Sequence, residues 1–342
     1  MTGWQIIGNE QLEKVTKTEP FDGLDSIKVK ITRTLLTIED IAAFCGEDKE
    51  VAFPVIPGRS SVGQISETGG NSVFGLEKGT RVYLAPISSC GKCYHCSLGK
   101  PEECYNFVIA GKNTDGFLRD FAVMKTSDIF ALPSSVKDED AIYIEYISLA
   151  LSVIDKLKIE KGQHVAVIGC NVLASILAQL IIYYQGVPIL IDSDENDLLL
   201  AKKSGIYYTV GLSDKTEEEI STITGGRMAS RVVYLTRSGL PTDLAFKLAA
   251  PCANVGFAGF SYSNIKVPFS IAMRKQINAI CITNGFGNTE TAINLLANKA
   301  VDLSNYRLPL TAMDDIEKTF ISSAEDYKEG KKIKNIFINM VD

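Results

Sequence analysis

The chain has 342 residues, 46% hydrophobic and 22% charged, with a formal net charge of −6. That length fits one very large domain or two ordinary ones, and the acidic balance argues against a nucleic-acid partner, which needs a basic face. The opening MTGWQIIGNEQLEK lacks the basic-then-apolar order of a secretory signal, so a cytoplasmic protein with reduced thiols is expected.

In chain order, the first chemical signal is CGKCYHCSLGKPEEC at 90–104. Cys90, Cys93, Cys96 and Cys104 are half of the eight cysteines in the chain. Their short spacing suits tetrahedral Zn²⁺ held by four thiolates, with Gly91 and Gly99 supplying the tight bends. An iron–sulfur cluster also takes four thiolates, and scattered buried thiols are the plain alternative. A metal closed by four cysteines has no open position, so it shapes the lobe and does not touch substrate. His95 is expected as an exposed loop side chain. The only other histidine, His164, precedes an apolar run, so a histidine relay is not expected.

Residues 165–191 could mimic a membrane span, but Gly169, Asn171, Gln179, Gln185, Gly186 and Pro188 interrupt them. A strand VAVIG, a helix through CNVLASILAQLIIYYQG and a strand VPILID account for the stretch better. Further strands are predicted at 231–235, 254–260 and 278–283, with helices through 197–205 and 242–250 between them. This alternation implies a parallel, doubly wound sheet of the Rossmann kind. Its phosphate turn maps onto Gly169, Asn171 and Ala174, with Val172 and Leu173 opening the helix. Asn171 stands where glycine normally lets the backbone approach the phosphates, which weakens binding without excluding it. Asp192, twenty-three residues after Gly169, can accept from a ribose and would repel a 2′-phosphate, so NAD(H) is preferred over NADP(H). The bland reading is a Rossmann core that has lost its ligand. EDYKEGKKIK reads as an exposed helix end.

Together, the cysteine lobe, FPVIPG at 53–58 and the EYISLAL-then-VIG arrangement resemble the zinc-type alcohol dehydrogenases of the medium-chain dehydrogenase/reductase superfamily. The resemblance implies an α/β protein. A GroES-like β-rich catalytic domain would cover 1–150 with its zinc lobe at 88–106, a Rossmann domain 151–285, and a return to the catalytic domain 286–342. It also implies one structural zinc per chain, a small-molecule substrate, no membrane partner, and a homodimer or higher homo-oligomer joined near NAICITNGFG.

The departures fall on the family's second, catalytic zinc. The cysteine-ligand position carries Thr37, the histidine-ligand position Arg59, and the acid after it Ser60. Cys45 is read as a decoy, because its Gly-Glu matches residues that precede FP in the family. Glu145 and Asp40 match family acids, while Glu39 replaces the Ser or Thr that passes the alcohol proton. Asp197 stands where a basic residue commonly lies near the ribose. A guanidinium cannot ligate zinc, but it can polarise a carbonyl or bind an anion. Arg59 is therefore the candidate electrophile, with Glu39 or Glu145 as acid–base group and Thr37 beside them. The bland alternative is an ion pair plugging a vacated pocket, with all three acids solvated or salt-bridged.

Three functions follow. One is a zinc-independent, NAD(H)-linked oxidoreductase acting on a small polar alcohol or ketone. Another is a non-catalytic binding or scaffold relative that has lost the reaction. The third is non-redox chemistry with bound NAD, as in a lyase or epimerase.

Overall fold

The computed structural model describes residues 1–21, 23–70, 75–236, 238–259 and 266–340. The chain divides into two compact units, one of Met1–Glu145 with Arg307–Asp342 and the other of Tyr146–Tyr306.

The first unit is β-rich. A seven-stranded sheet has its centre in Ser26–Leu36, which pairs antiparallel with Ser60–Thr68, with Phe121–Lys125 and with the late strand Ile336–Asn339. Leu36 aligns with Ile336 and Arg33 with Asn339, so the end of the chain closes the sheet begun near its start. The last two residues of KIKNIFINMVD lie outside the described residues.

A helix at Ile38–Phe44 begins where the Asp40 carboxylate takes the Thr37 N–H at 2.8 Å, an N-terminal cap that satisfies an orphan donor. Its inner face packs on the helix Ile316–Lys328, where the Phe44 and Phe320 rings meet edge-on at 5.3 Å. Ile6, Leu36, Ile41, Ile316 and Ile338 complete that apolar cluster. The helix at 316–328 stops just inside EDYKEGKKIK, so most of that stretch is exposed or half-buried chain beyond it.

The second unit carries a six-stranded, all-parallel sheet in the order Tyr208–Gly211, Val187–Asp192, His164–Ile168, Ala229–Leu235, Ala249–Ala258, Asn278–Ile282. In chain order this is 3-2-1-4-5-6, the Rossmann arrangement. The central strands are buried on both faces, which is why VAVI and PILI read as continuous apolar runs. The region that could mimic a membrane span is strand, helix (Val172–Tyr183) and strand. Among the described residues no helix is long and apolar enough to cross a membrane.

Several boundaries move. The predicted helix through 242–250 spans only Asp243–Leu248, because the chain passes directly into the strand Ala249–Ala258. Lys275 supports that abrupt end, its ammonium donating to the carbonyls of Phe246, Lys247 and Ala249 at 2.7–3.0 Å. Phe260, last residue of the strand predicted at 254–260, lies outside the described residues. The edge strand Tyr208–Gly211 had no clear signal, since only Val210 in it is buried.

Candidate functional site

Within the first unit, the candidate acid and base groups converge. Arg59 enters the strand Ser60–Thr68, and Glu145 lies in the first turn of the helix Ile144–Leu157. Arg59 Nη2 donates to Glu145 Oε1 at 2.8 Å, with side-chain exposures of 7% and 15%. Burial pushes the Glu145 carboxyl above the ordinary range, the Arg59 charge pulls it back, and nearby Glu39 and Asp40 raise it again.

Asp40 is 2% exposed and ties two segments together. Oδ1 takes the Gly58 N–H at 2.7 Å, and Oδ2 takes the Thr37 N–H at 2.8 Å and its hydroxyl at 3.2 Å. Burial lifts its pKa, opposed by those two backbone donors and the charge of Arg59. Thr37 thus lies at the helix start with its hydroxyl committed to Asp40, and Glu39 is half-buried close enough to act on both acids. Cys45 ends the same helix, some 12 Å from Thr37 at the ~1.5 Å rise of each residue, and its thiol is raised by burial.

Two neighbours complete the surroundings: Ser60, which the sequence places at the family's acid position, and Tyr83, which had no sequence signal. Ser60 Oγ donates to the Ile142 carbonyl at 2.6 Å and lies 3.4 Å from the Tyr83 hydroxyl. Tyr83 is fully buried, and burial followed by the Glu145 charge pushes its phenol far above the ordinary range. Tyr83 belongs to RVYL on the adjoining strand, so only sheet register brings it here.

The cysteine lobe is closed at its base by antiparallel pairing of Ile87–Ser88 with Val108–Ile109. Cys90, Cys93, Cys96 and Cys104 bring their sulfurs within 4.8 Å of one another. Contacts of 3.4, 3.6 and 3.9 Å bracket the ~3.8 Å edge of a tetrahedron with Zn–S near 2.3 Å, so the donor set fits a structural zinc. Gly91 and Gly99 make the bends at φ +70° and +74°. Among the described residues this is the one such cluster of His, Cys, Asp or Glu. His95 differs from expectation: it is half-buried, its Nδ1 2.8 Å from Glu103 and its ring edge-on to Tyr94 and Tyr105.

In the second unit, Gly169 ends the first strand at φ +101°, and a Cβ there would come 2.7 Å from Ser238 Cβ. Glycine is therefore required twice over, by conformation and by close approach. The backbone at Asn171 is extended at φ −147°, so this position does not use the left-handed tolerance of asparagine. Its side chain instead caps the helix, Oδ1 taking the Ala174 N–H at 3.0 Å. Val172 and Leu173 form the first turn of this helix, where backbone N–H groups would receive a pyrophosphate.

Asp192 is buried and holds its own backbone. Oδ2 takes the Cys170 N–H at 2.5 Å and Oδ1 the Asp194 N–H at 2.9 Å. Asp194 caps the next helix, and Glu195 and Asp197 lie in its first turn. The residues that would hold a dinucleotide are thus a glycine turn, a helix N-terminus and a carboxylate at the second strand's end, and they fit one.

Residues 23–134 match the family model described as the alcohol dehydrogenase GroES-like domain. The chain is 26% identical over 300 residues, 87% of each chain, to an uncharacterized zinc-type alcohol dehydrogenase-like protein of Haemophilus influenzae. It is 29% identical over 84% of each chain to a sorbitol dehydrogenase of Halalkalibacterium halodurans. An alcohol dehydrogenase of E. coli CFT073, solved with NADH, shares the fold at a TM-score of 0.84 and 21% identity, covering 99% of both chains. With the cysteine lobe and the parallel sheet in place, residues 23–134 carry an alcohol dehydrogenase GroES-like domain, and the chain is similar in sequence and in fold to zinc-type alcohol dehydrogenase-like proteins.

Proposed function

We propose that the chain is an alcohol-dehydrogenase-type oxidoreductase that uses NAD(H) on a small polar alcohol or ketone, with Arg59 doing the work its relatives' family gives to a catalytic zinc. The buried Arg59–Glu145 contact at 2.8 Å carries this reading. A guanidinium withdrawn from water offers fixed donors to a carbonyl or developing alkoxide oxygen, where they act more strongly than in water. Glu145, its affinity for protons raised by burial, takes the hydroxyl proton in oxidation and returns it in reduction. Glu39 serves as the relay toward water. Thr37 and Asp40 position the segment through the Gly58 N–H rather than react.

Bound NAD(H) supplies the hydride acceptor or donor, so the alcohol loses one hydride and one proton and no further reactant is needed. Asp192, Asp194, Glu195 and Asp197 crowd negative charge where a 2′-phosphate would lie, which favours NAD(H) over NADP(H). The cysteine lobe holds one zinc per chain, a structural one. A homodimer through the end strand Asn278–Ile282 is part of the reading, to be checked by light scattering.

Calorimetric titration with NADH and NADPH, followed by an alcohol and ketone screen, tests the function. Micromolar NADH binding, weaker NADPH binding and turnover lost in Arg59→Ala support it; unchanged kinetics in that variant reject it. A second reading, a non-catalytic relative, draws on Asn171 and Asp192, whose side chains already satisfy their own backbone. Absence of binding by either nucleotide at millimolar concentration would favour that reading.

A further inference from the structure

Residues 58–60 make three tethers in succession. The Gly58 N–H donates to Asp40 at 2.7 Å, Arg59 Nη2 donates to Glu145 at 2.8 Å, and Ser60 Oγ donates to the Ile142 carbonyl at 2.6 Å. The last two join the same pair of segments, because Arg59 adjoins Ser60 and Ile142 lies three residues before Glu145. These segments are more than 80 residues apart in the chain, so no local structure sets their spacing.

An ion pair between two long side chains holds a single geometry only at a cost in rotamer freedom. A hydrogen bond between the segments that carry them limits how far one backbone can drift against the other. Ser60 and Ile142 are both buried, so water cannot replace that bond, and losing the hydroxyl would strand the Ile142 carbonyl. The Tyr83 hydroxyl backs the tether. It stands 3.4 Å from Ser60 Oγ, and near enough to the Glu145 N–H for that donor to lower its pKa.

We propose that Ser60 is a positioning residue for the Arg59–Glu145 pair, its hydroxyl holding the chain at Ile142 so that Glu145 meets Arg59, with Tyr83 as its support. Neither side chain gives or takes the substrate's proton. The catalytic consequence rests on Arg59 and Glu145 being the reacting pair; the tether itself does not.

A double-mutant cycle on the full chain tests the tether. Urea unfolding of Arg59→Met, Glu145→Leu and their combination gives the coupling of the pair, and the cycle is repeated on Ser60→Ala and on Tyr83→Phe. Written as a ratio of unfolding constants, the coupling should fall about tenfold with Ser60→Ala and by less with Tyr83→Phe. Ser61→Ala is the control. It removes the next hydroxyl along the strand, which contacts Thr34 at 2.9 Å, and should leave the coupling unchanged. A hydroxyl that only stabilises the fold would lower every variant alike and leave the ratio intact. Once a substrate is in hand, Ser60→Ala should lower kcat about tenfold with little change in KM. The proposal is overturned if the pair shows no coupling, if the coupling survives both Ser60→Ala and Tyr83→Phe, or if Ser61→Ala reduces it equally. A coupling that falls while kcat stays constant supports the tether and rejects Arg59 and Glu145 as the reacting groups.

Discussion

Arg59 and Glu145 are 86 residues apart in the chain, and Arg59 Nη2 meets Glu145 Oε1 at 2.8 Å with both side chains largely withdrawn from water. Removing one partner leaves a buried charge without its counterion. Glu145→Leu or Arg59→Met should each cost about 3–5 kcal/mol in urea unfolding, and the double substitution less than either alone. Additive losses would show that the pair is not energetically coupled.

Asn171→Gly frees the Ala174 N–H and brings the backbone nearer a pyrophosphate. The extended φ at this position suits glycine, and an Asn-to-Gly change at a helix cap costs only a few tenths of a kcal/mol. NADH should bind several-fold more tightly to this variant. Weaker binding would mean that the Asn171 side chain is itself a cofactor contact.

The zinc lobe predicts a metal count. Elemental analysis of the purified protein should give about one zinc per chain, and Cys93→Ser should bring it close to zero, since a four-thiolate site rarely survives loss of a ligand. The same variant should become protease-sensitive within residues 88–109, where the short pairing Ile87–Ser88 with Val108–Ile109 is left to hold the loop. Two zincs per chain would refute the assignment of Arg59 to the metal's place.

His164 governs a pH window. Its pKa is depressed, first by burial and then by the charge of Arg227. The folded state therefore binds the proton less readily than the unfolded chain, whose histidine titrates near pH ~6.5. The stability this represents is present above that value and is lost as pH falls through it toward the folded value. The urea midpoint of the wild type should fall between neutrality and mild acid more steeply than that of His164→Gln. Parallel curves would contradict this.

Local pattern carried much of the fold. VAVIG and VPILID announced themselves because strands buried on both faces are apolar throughout, and Gly169 marked the turn because nothing larger fits beside Ser238. The strand Tyr208–Gly211 was silent because an edge strand of four residues with one buried side chain has no period to read. Thr37, Glu39, Arg59 and Glu145 were singled out by departure from, or agreement with, a family pattern; no local rule pairs residues so distant. Asp192 was legible as a carboxylate at a strand end, but its grip on the Cys170 and Asp194 amides depends on backbone directions that sequence does not encode locally. Tyr83 was invisible for a similar reason, as its neighbours are chosen by sheet register.

The pairing of Arg33–Leu36 with Ile336–Asn339 has a consequence for biosynthesis. Tyr146–Tyr306 is one continuous stretch, able to fold while the ribosome is still adding residues. The other unit must wait for nearly the last strand, and until it arrives half of the central strand Ser26–Leu36 presents open amides and carbonyls along one edge. If the inserted stretch folds early, the loop to be closed shortens from 306 residues by about half, an entropic saving of only ~0.6 kcal/mol. The gain is therefore in timing, and the exposed edge makes the nascent chain a natural client for chaperones that bind extended segments.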